Sequence, residues 1–253
     1  MQPLLDQPAL LAGLAAIILM FGFTIFRDLR HRRLGPDAPT KPVQRQYRNT
    51  AILLWLMCAA CLACWALAGR PFADMGLQST QGWGGWLAWG FVAASVGYAL
   101  YSLLVTALSR EARIKLRQDF AKTDGLDLIR PRTAGDHAGF QLLSLTAGVT
   151  EEVIFRGFLL ATLAIIMPVW AAALTSMTIF ILAHAYQGPS GMIRITPITA
   201  LMTVVVLLGG SLWPAIIIHA IADALAGALL ALVDAHEASD ARSEAEDTGA
   251  LPA

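Results

Sequence analysis

The stretch Thr150 to Gly157 reads "TEEVIFRG" and places two carboxylates and a guanidinium, Glu151, Glu152 and Arg156, within six residues. The chain that follows, "FLLATLAIIMPVWAAAL", is apolar, so these charges belong to a lipid-embedded segment and not to a surface loop. A charge at membrane depth costs about 2.5–3.5 kcal/mol on insertion scales, and such groups are usually paired or functional. Glu152 and Arg156 are four apart, the helical spacing at which a glutamate preceding a cation pairs. Glu151 stands about 100° around the helix and is left without a local partner. A carboxylate without a partner in a low-dielectric cavity holds its charge weakly, which suits a general base. The spacing therefore gives structure to Glu152 and Arg156 and chemistry to Glu151.

Two of the five histidines fall in apolar runs, His184 in "FILAHAY" and His219 in "IIIHAIADALAG", while His31, His137 and His236 fall in predicted loops or the tail. Asp223 follows His219 by four residues, which puts both on one side of a helix, and Phe180 precedes His184 by the same interval. Taken singly, each group has a plain structural explanation. A histidine in a span can bond a neighbouring helix, His219 and Asp223 can satisfy each other, and an isolated acid can line an ion path. Five acidic or imidazole groups on three helices of a nearly charge-free bundle are costly to maintain, and one shared site accounts for all of them.

The elements that must position this cluster are membrane helices. The chain has 253 residues, is 57% hydrophobic and 14% charged, and has a mean hydropathy of +0.60, with the apolar excess gathered in long blocks. This predicts an all-α, polytopic transmembrane bundle of about seven spans: Pro8–Phe26, Thr50–Gly69, Trp86–Leu108, Gly139–Ile166, Pro168–Tyr186, Ile195–Gly210 and Trp213–Val233. The organisation divides into an N-terminal membrane region (1–137) with three spans and two basic loops, a core (138–233) holding the polar cluster, and an acidic tail (234–253) read as disordered. Net charge is zero, yet seven Lys and Arg lie in Arg27–Arg48 and another seven in Arg110–Arg132. The positive-inside rule puts both segments in the cytoplasm of a cell-membrane protein, with the N-terminus outside and the C-terminus cytoplasmic. The first apolar block lacks a basic leader and reads as an anchor.

Other features take ordinary explanations. Cys58, Cys61 and Cys64 are small, soft packing residues in one apolar run, with no further ligand beside them. Trp83, Trp86 and Trp89 suit an interfacial aromatic belt. No phosphate-binding glycine loop, internal repeat or nucleic-acid signature is present, so the partners implied are the bilayer and a membrane-associated substrate.

Glu151-Glu152-x-x-x-Arg156, Phe180-x-x-x-His184 and His219-x-x-x-Asp223 resemble, in order, the three motifs of the CPBP family, intramembrane proteases that include the type II CAAX prenyl endopeptidases and the Abi proteins. The resemblance covers roughly residues 139 to 233. It implies hydrolysis of a peptide bond in a membrane-anchored or lipidated substrate, with Glu151 activating a water helped by His184. It also implies that His219 and Asp223 stabilise the oxyanion. An ionised aspartate cannot donate to an oxyanion, so the role favoured for Asp223 is to orient His219. Glu152, Arg156 and Phe180 are supporting residues on this view. No cofactor is required, although a divalent metal such as zinc on His184 and His219 stays open, without the His-Glu-x-x-His pattern of zinc proteases. Other functions for the same cluster are a non-catalytic membrane binding or assembly factor, and an ion or proton carrier. A serine protease built on "GPSG" (Gly188–Gly191) is the weaker competitor, because those dipeptides are turn formers and Glu151 would go unexplained.

Overall fold

The computed structural model describes residues 4–33, 42–121 and 130–247, and all regular structure among them is helical. Parts of both basic segments (34–41 and 122–129) and of the tail (248–253) lie outside the described residues. The helices are α1 (Pro8–Arg33), α2 (Val43–Leu67), α3 (Gly82–Leu108), α4 (Arg110–Ala121), α5, α6 (Val169–Ala183), α7 (Gly188–Gly209) and α8 (Trp213–Asp247). Helix α5 is composite: it runs Ala134–Glu151, widens into a π-helical stretch Glu152–Leu159, and closes with Leu160–Leu163.

Five segments are long and apolar enough to cross a membrane: Pro8–Phe26, Val43–Leu67, Gly82–Leu108, Ala185–Gly209 and Trp213–Glu237. The chain is a multi-pass membrane protein with an all-α bundle. The other two of the seven predicted spans are helical but of another kind. Helix α5 carries its charges midway and changes helix type there, and α6 has only 15 residues, ending at His184 where a turn begins. Helix α7 starts seven residues before the predicted span, because Gly188 takes φ +72° and Pro189 follows in the first turn, where its missing N–H costs nothing. Ser190 accordingly sits in that first helical turn.

The tail differs from its reading too. Where composition predicts disorder, α8 continues to Asp247, helped by alanines and by pairs from Asp234 to Arg130 (2.6 Å) and Glu237 to Arg117 (2.9 Å). His137 and His236 likewise stand on helices, α5 and α8.

Apolar side chains gain little from meeting each other instead of lipid, so helix contacts rest on close approach and packing. Gly148 shows this: a Cβ there would lie 2.9 Å from the Ala220 nitrogen. Antiparallel α5 and α8 are also tied by Gln141 Nε2 donating to the Ala224 carbonyl at 3.1 Å. That contact sets Glu151 and Glu152 opposite His219. Helix α2 runs parallel to α5, with edge-to-face ring pairs Tyr47–Phe140 and Trp65–Phe158 at 5.8 and 6.1 Å. Cys58 and Cys61 are buried free thiols on α2, with Cys64 half-buried beside them. Large apolar groups such as Leu67, Trp86 and Leu108 point outward, and Trp83 and Trp86 cluster at the start of α3, as lipid-facing surface and an interfacial belt require.

Candidate active site

All eight residues of the π-helical stretch are buried. π-Helical turns are rare and concentrate at functional sites, because the wider turn redirects side chains that an α-helix would spread around its axis. Here Glu152 is fully buried, and its Oε1 accepts from Arg156 Nη1 at 2.9 Å and from His219 Nδ1 at 2.8 Å. Arg156 also donates through Nη2 to the Thr199 carbonyl at 3.4 Å, and its guanidinium lies 4.1 Å from the centre of the Phe180 ring. The Glu152 carboxylate and the Arg156 guanidinium thus neutralise each other in a dry interior, and the His219 imidazole gives that carboxylate a second donor.

Phe180 is the platform beneath them. Its ring centre is 4.6 Å from that of His184, 6.0 Å from His219 and 5.1 Å from Phe155. Ser176 Oγ donates to the Phe155 carbonyl at 2.7 Å, locking α6 against the π-helical turn.

The imidazole tautomers follow from their partners. His184, at the C-terminal end of α6, has Nδ1 2.9 Å from the Phe180 carbonyl, which can only accept. His219 has Nδ1 on Glu152, whose carboxylate is paired with Arg156 and also accepts. Both rings therefore carry a proton on Nδ1 and turn Nε2 inward. Each Nε2 lies 3.9 Å from the same atom, Glu151 Oε2, which has no hydrogen-bond partner among the described residues. That separation is too long for a direct hydrogen bond and suits an atom shared between them. Asp223 Oδ2 is 3.6 Å from His219 Nε2, and its side chain is 42% exposed, which places it at the mouth of the cluster.

Every residue singled out by spacing is brought into this cluster. What spacing missed is the bond from Glu152 to His219, across 67 positions of sequence. The resemblance leaves Asp223 to orient His219; here the ring's short hydrogen bond runs from Nδ1 to Glu152, with Asp223 at 3.6 Å on the Nε2 side. Tyr186 was also missed: its ring centre is 5.9 Å from that of His184, and its hydroxyl accepts from Gln187 Nε2 at 3.1 Å. Its position two residues after His184 was the available signal.

Two imidazole Nε2 atoms and a carboxylate are donors that zinc accepts, with ligand bonds of about 2.0–2.1 Å. Ligand atoms around one tetrahedral ion then lie about 3.4 Å apart, closer than the 3.9 Å found here. Among the described residues no group of three or more His, Cys, Asp or Glu is arranged to hold a metal ion. As placed, the set does not fit one.

Residues 135–225 match the family model described as type II CAAX prenyl endopeptidase Rce1-like. No curated protein and no solved structure matches the chain. The matched stretch starts with α5 and ends just after Asp223, so it contains the whole cluster.

Proposed function

We propose that this membrane protein, whose residues 135–225 match the Rce1-like family model, is an intramembrane endopeptidase that cleaves a membrane-anchored or lipidated substrate with a glutamate-activated water. The observation that carries this reading is the convergence of His184 Nε2 and His219 Nε2 on the unbonded Oε2 of Glu151. A water held at that oxygen can give its proton to Glu151 while its oxygen attacks the substrate carbonyl carbon, and Glu151 then returns the proton to the leaving amine. His184, fixed through Nδ1, keeps its Nε2 lone pair on the water side and steers it.

His219 is the group that can meet the developing oxyanion, donating from Nε2 when that atom carries a proton. Glu152 on its Nδ1 side and Asp223 on its Nε2 side supply negative charge to balance the imidazolium. Glu152 and Arg156 hold the ring rather than react. No step in this scheme passes through a metal.

The test is cleavage of a panel of membrane-anchored and lipidated peptides by the detergent-solubilised chain, wild type beside Glu151→Gln, each with and without chelator. Cleavage should fall by about 10²–10⁴-fold in the variant, the range a general base contributes, with the melting temperature unchanged. Undiminished cleavage by Glu151→Gln would overturn the assignment, and loss of wild-type cleavage with chelator would replace the metal-free scheme.

A further inference from the structure

Away from the catalytic cluster, the parallel pair α2 and α5 enclose a groove of about 690 Å³. The helices touch where they begin. A Cβ on Gly135 would lie 3.1 Å from Gln44 Nε2, and one on Gly139 would lie 3.1 Å from Tyr47 Cδ2. From that crossing the groove runs along α2 past Ile52, Trp55 and Leu56, with Leu142 and Leu143 on the facing wall. Ile52, Trp55, Leu56 and Leu142 are all about half exposed or more, so the groove opens sideways toward the bilayer and not into the bundle.

One end of this apolar groove is cationic. Arg48 lines it and Arg45 lies one turn earlier on α2, while Arg132, three residues before Gly135, faces a separate hollow with Arg130 and Asp234. Arg45, Arg48 and Arg132 are exposed, and none of their side chains makes an ion pair or hydrogen bond among the described residues. The neighbouring carboxylate, Asp136, already accepts from the backbone N–H groups of Arg132 and Thr133. By contrast, Arg117, Arg130 and Arg156 each have a carboxylate partner. A half-open apolar channel that ends at the unpaired Arg48 guanidinium, with Arg45 one turn away at the start of the same membrane helix, has the chemistry of a phospholipid: an acyl chain for the channel and a phosphate for Arg48.

We infer that the α2–α5 groove is a binding site for one anionic phospholipid of the bilayer, with an acyl chain along Ile52, Trp55 and Leu142 and its phosphate on Arg48. A zwitterionic lipid of the same chains offers the same hydrocarbon, but its headgroup cation offsets the attraction. The site is therefore selective for headgroup charge. It lies on the opposite stretch of α5 from Glu151 and does not depend on the protease reading.

The experiment is native mass spectrometry of the delipidated full chain in detergent, titrated with dioleoylphosphatidylglycerol or dioleoylphosphatidylcholine. The expected result is one retained phosphatidylglycerol and at least tenfold weaker retention of phosphatidylcholine. Arg48→Gln should weaken phosphatidylglycerol about tenfold, Arg48→Lys should keep most of it, and Leu142→Trp should abolish it by filling the channel. Arg110→Gln, an equal charge change away from the groove, should leave it unaltered. Equal retention of the two lipids, or equal effects of Arg48→Gln and Arg110→Gln, would overturn the site. So would a Leu142→Trp protein that still retains the lipid but no longer binds a farnesylated peptide, because the groove would then serve a substrate chain.

Discussion

The two ends of one helix treat charge in opposite ways. At the start of α5, Asp136 and Thr133 form a capping box, the Asp136 carboxylate accepting from the Thr133 N–H at 3.0 Å and the Thr133 hydroxyl accepting from the Asp136 N–H at 3.1 Å. Arg45, Arg48 and Arg132 near that end face outward, and none of their side chains has a partner among the described residues. Some sixteen residues on, Glu152 has no solvent, and Arg156, His219 and the Phe180 ring surround it. Water or lipid headgroups complete the first region, whereas the protein itself must complete the second. Removing a charge should therefore be mild at one end and severe at the other.

The largest effect tests the dry end. Arg156→Gln leaves Glu152 buried without its cation, and losing one partner of a buried pair costs about 3–5 kcal/mol. Yield and melting temperature in detergent should fall sharply. Arg48→Gln, the same change at the wet end, should stay within about 0.5 kcal/mol of wild type. Equal losses in the two variants would erase the contrast.

Phe180→Leu ranks next. It keeps the bulk but removes a desolvated cation–π contact worth about 2 kcal/mol, along with the surface under both imidazoles. Melting should fall by that order, and cleavage should fall more than stability does, because His184 and His219 lose their shared support. Cleavage that tracks the folded fraction alone would reduce Phe180 to a packing residue.

The capping box gives a smaller effect, with a pH signature. Burial works against the Asp136 charge. Hydrogen bonds from Thr133, from the N–H groups of Arg132 and Thr133, and from Gln44 outweigh that burial and hold the carboxyl below its ordinary value. A carboxyl lowered on folding contributes stability above its unfolded pKa, about 3.9, and that contribution is lost as pH falls through the lower folded value. Wild type should melt above Asp136→Ala at neutral pH, and the gap should close below about pH 4. A gap independent of pH would assign the loss to something other than the carboxylate. Asp234→Asn, which breaks the half-exposed pair with Arg130, should cost under about 1 kcal/mol and less still in high salt.

Much of this was legible from residue types and local spacing. Composition alone sets an all-helical membrane bundle, because backbone groups in lipid must bond within their own helix. The pairing of Glu152 with Arg156 depends on a four-residue interval, so it too could be read directly. The helix at 234–247 could not be read from acidity alone, since its partners Arg117 and Arg130 are over a hundred residues distant. Nor could the start of α7 at Gly188, which rests on one left-handed backbone angle.

The sequence by itself determined which groups had to be hidden from lipid and which were left without a neighbour, because cost in hydrocarbon and helical spacing are local properties. Only the tertiary structure decided what each group faces. Gly148 against Ala220 brings α8 close enough for Glu152 to take the proton side of His219, and the same approach aims two Nε2 atoms at Glu151. Such contacts join positions tens of residues apart through the fit of helix surfaces, and no local interval encodes that fit.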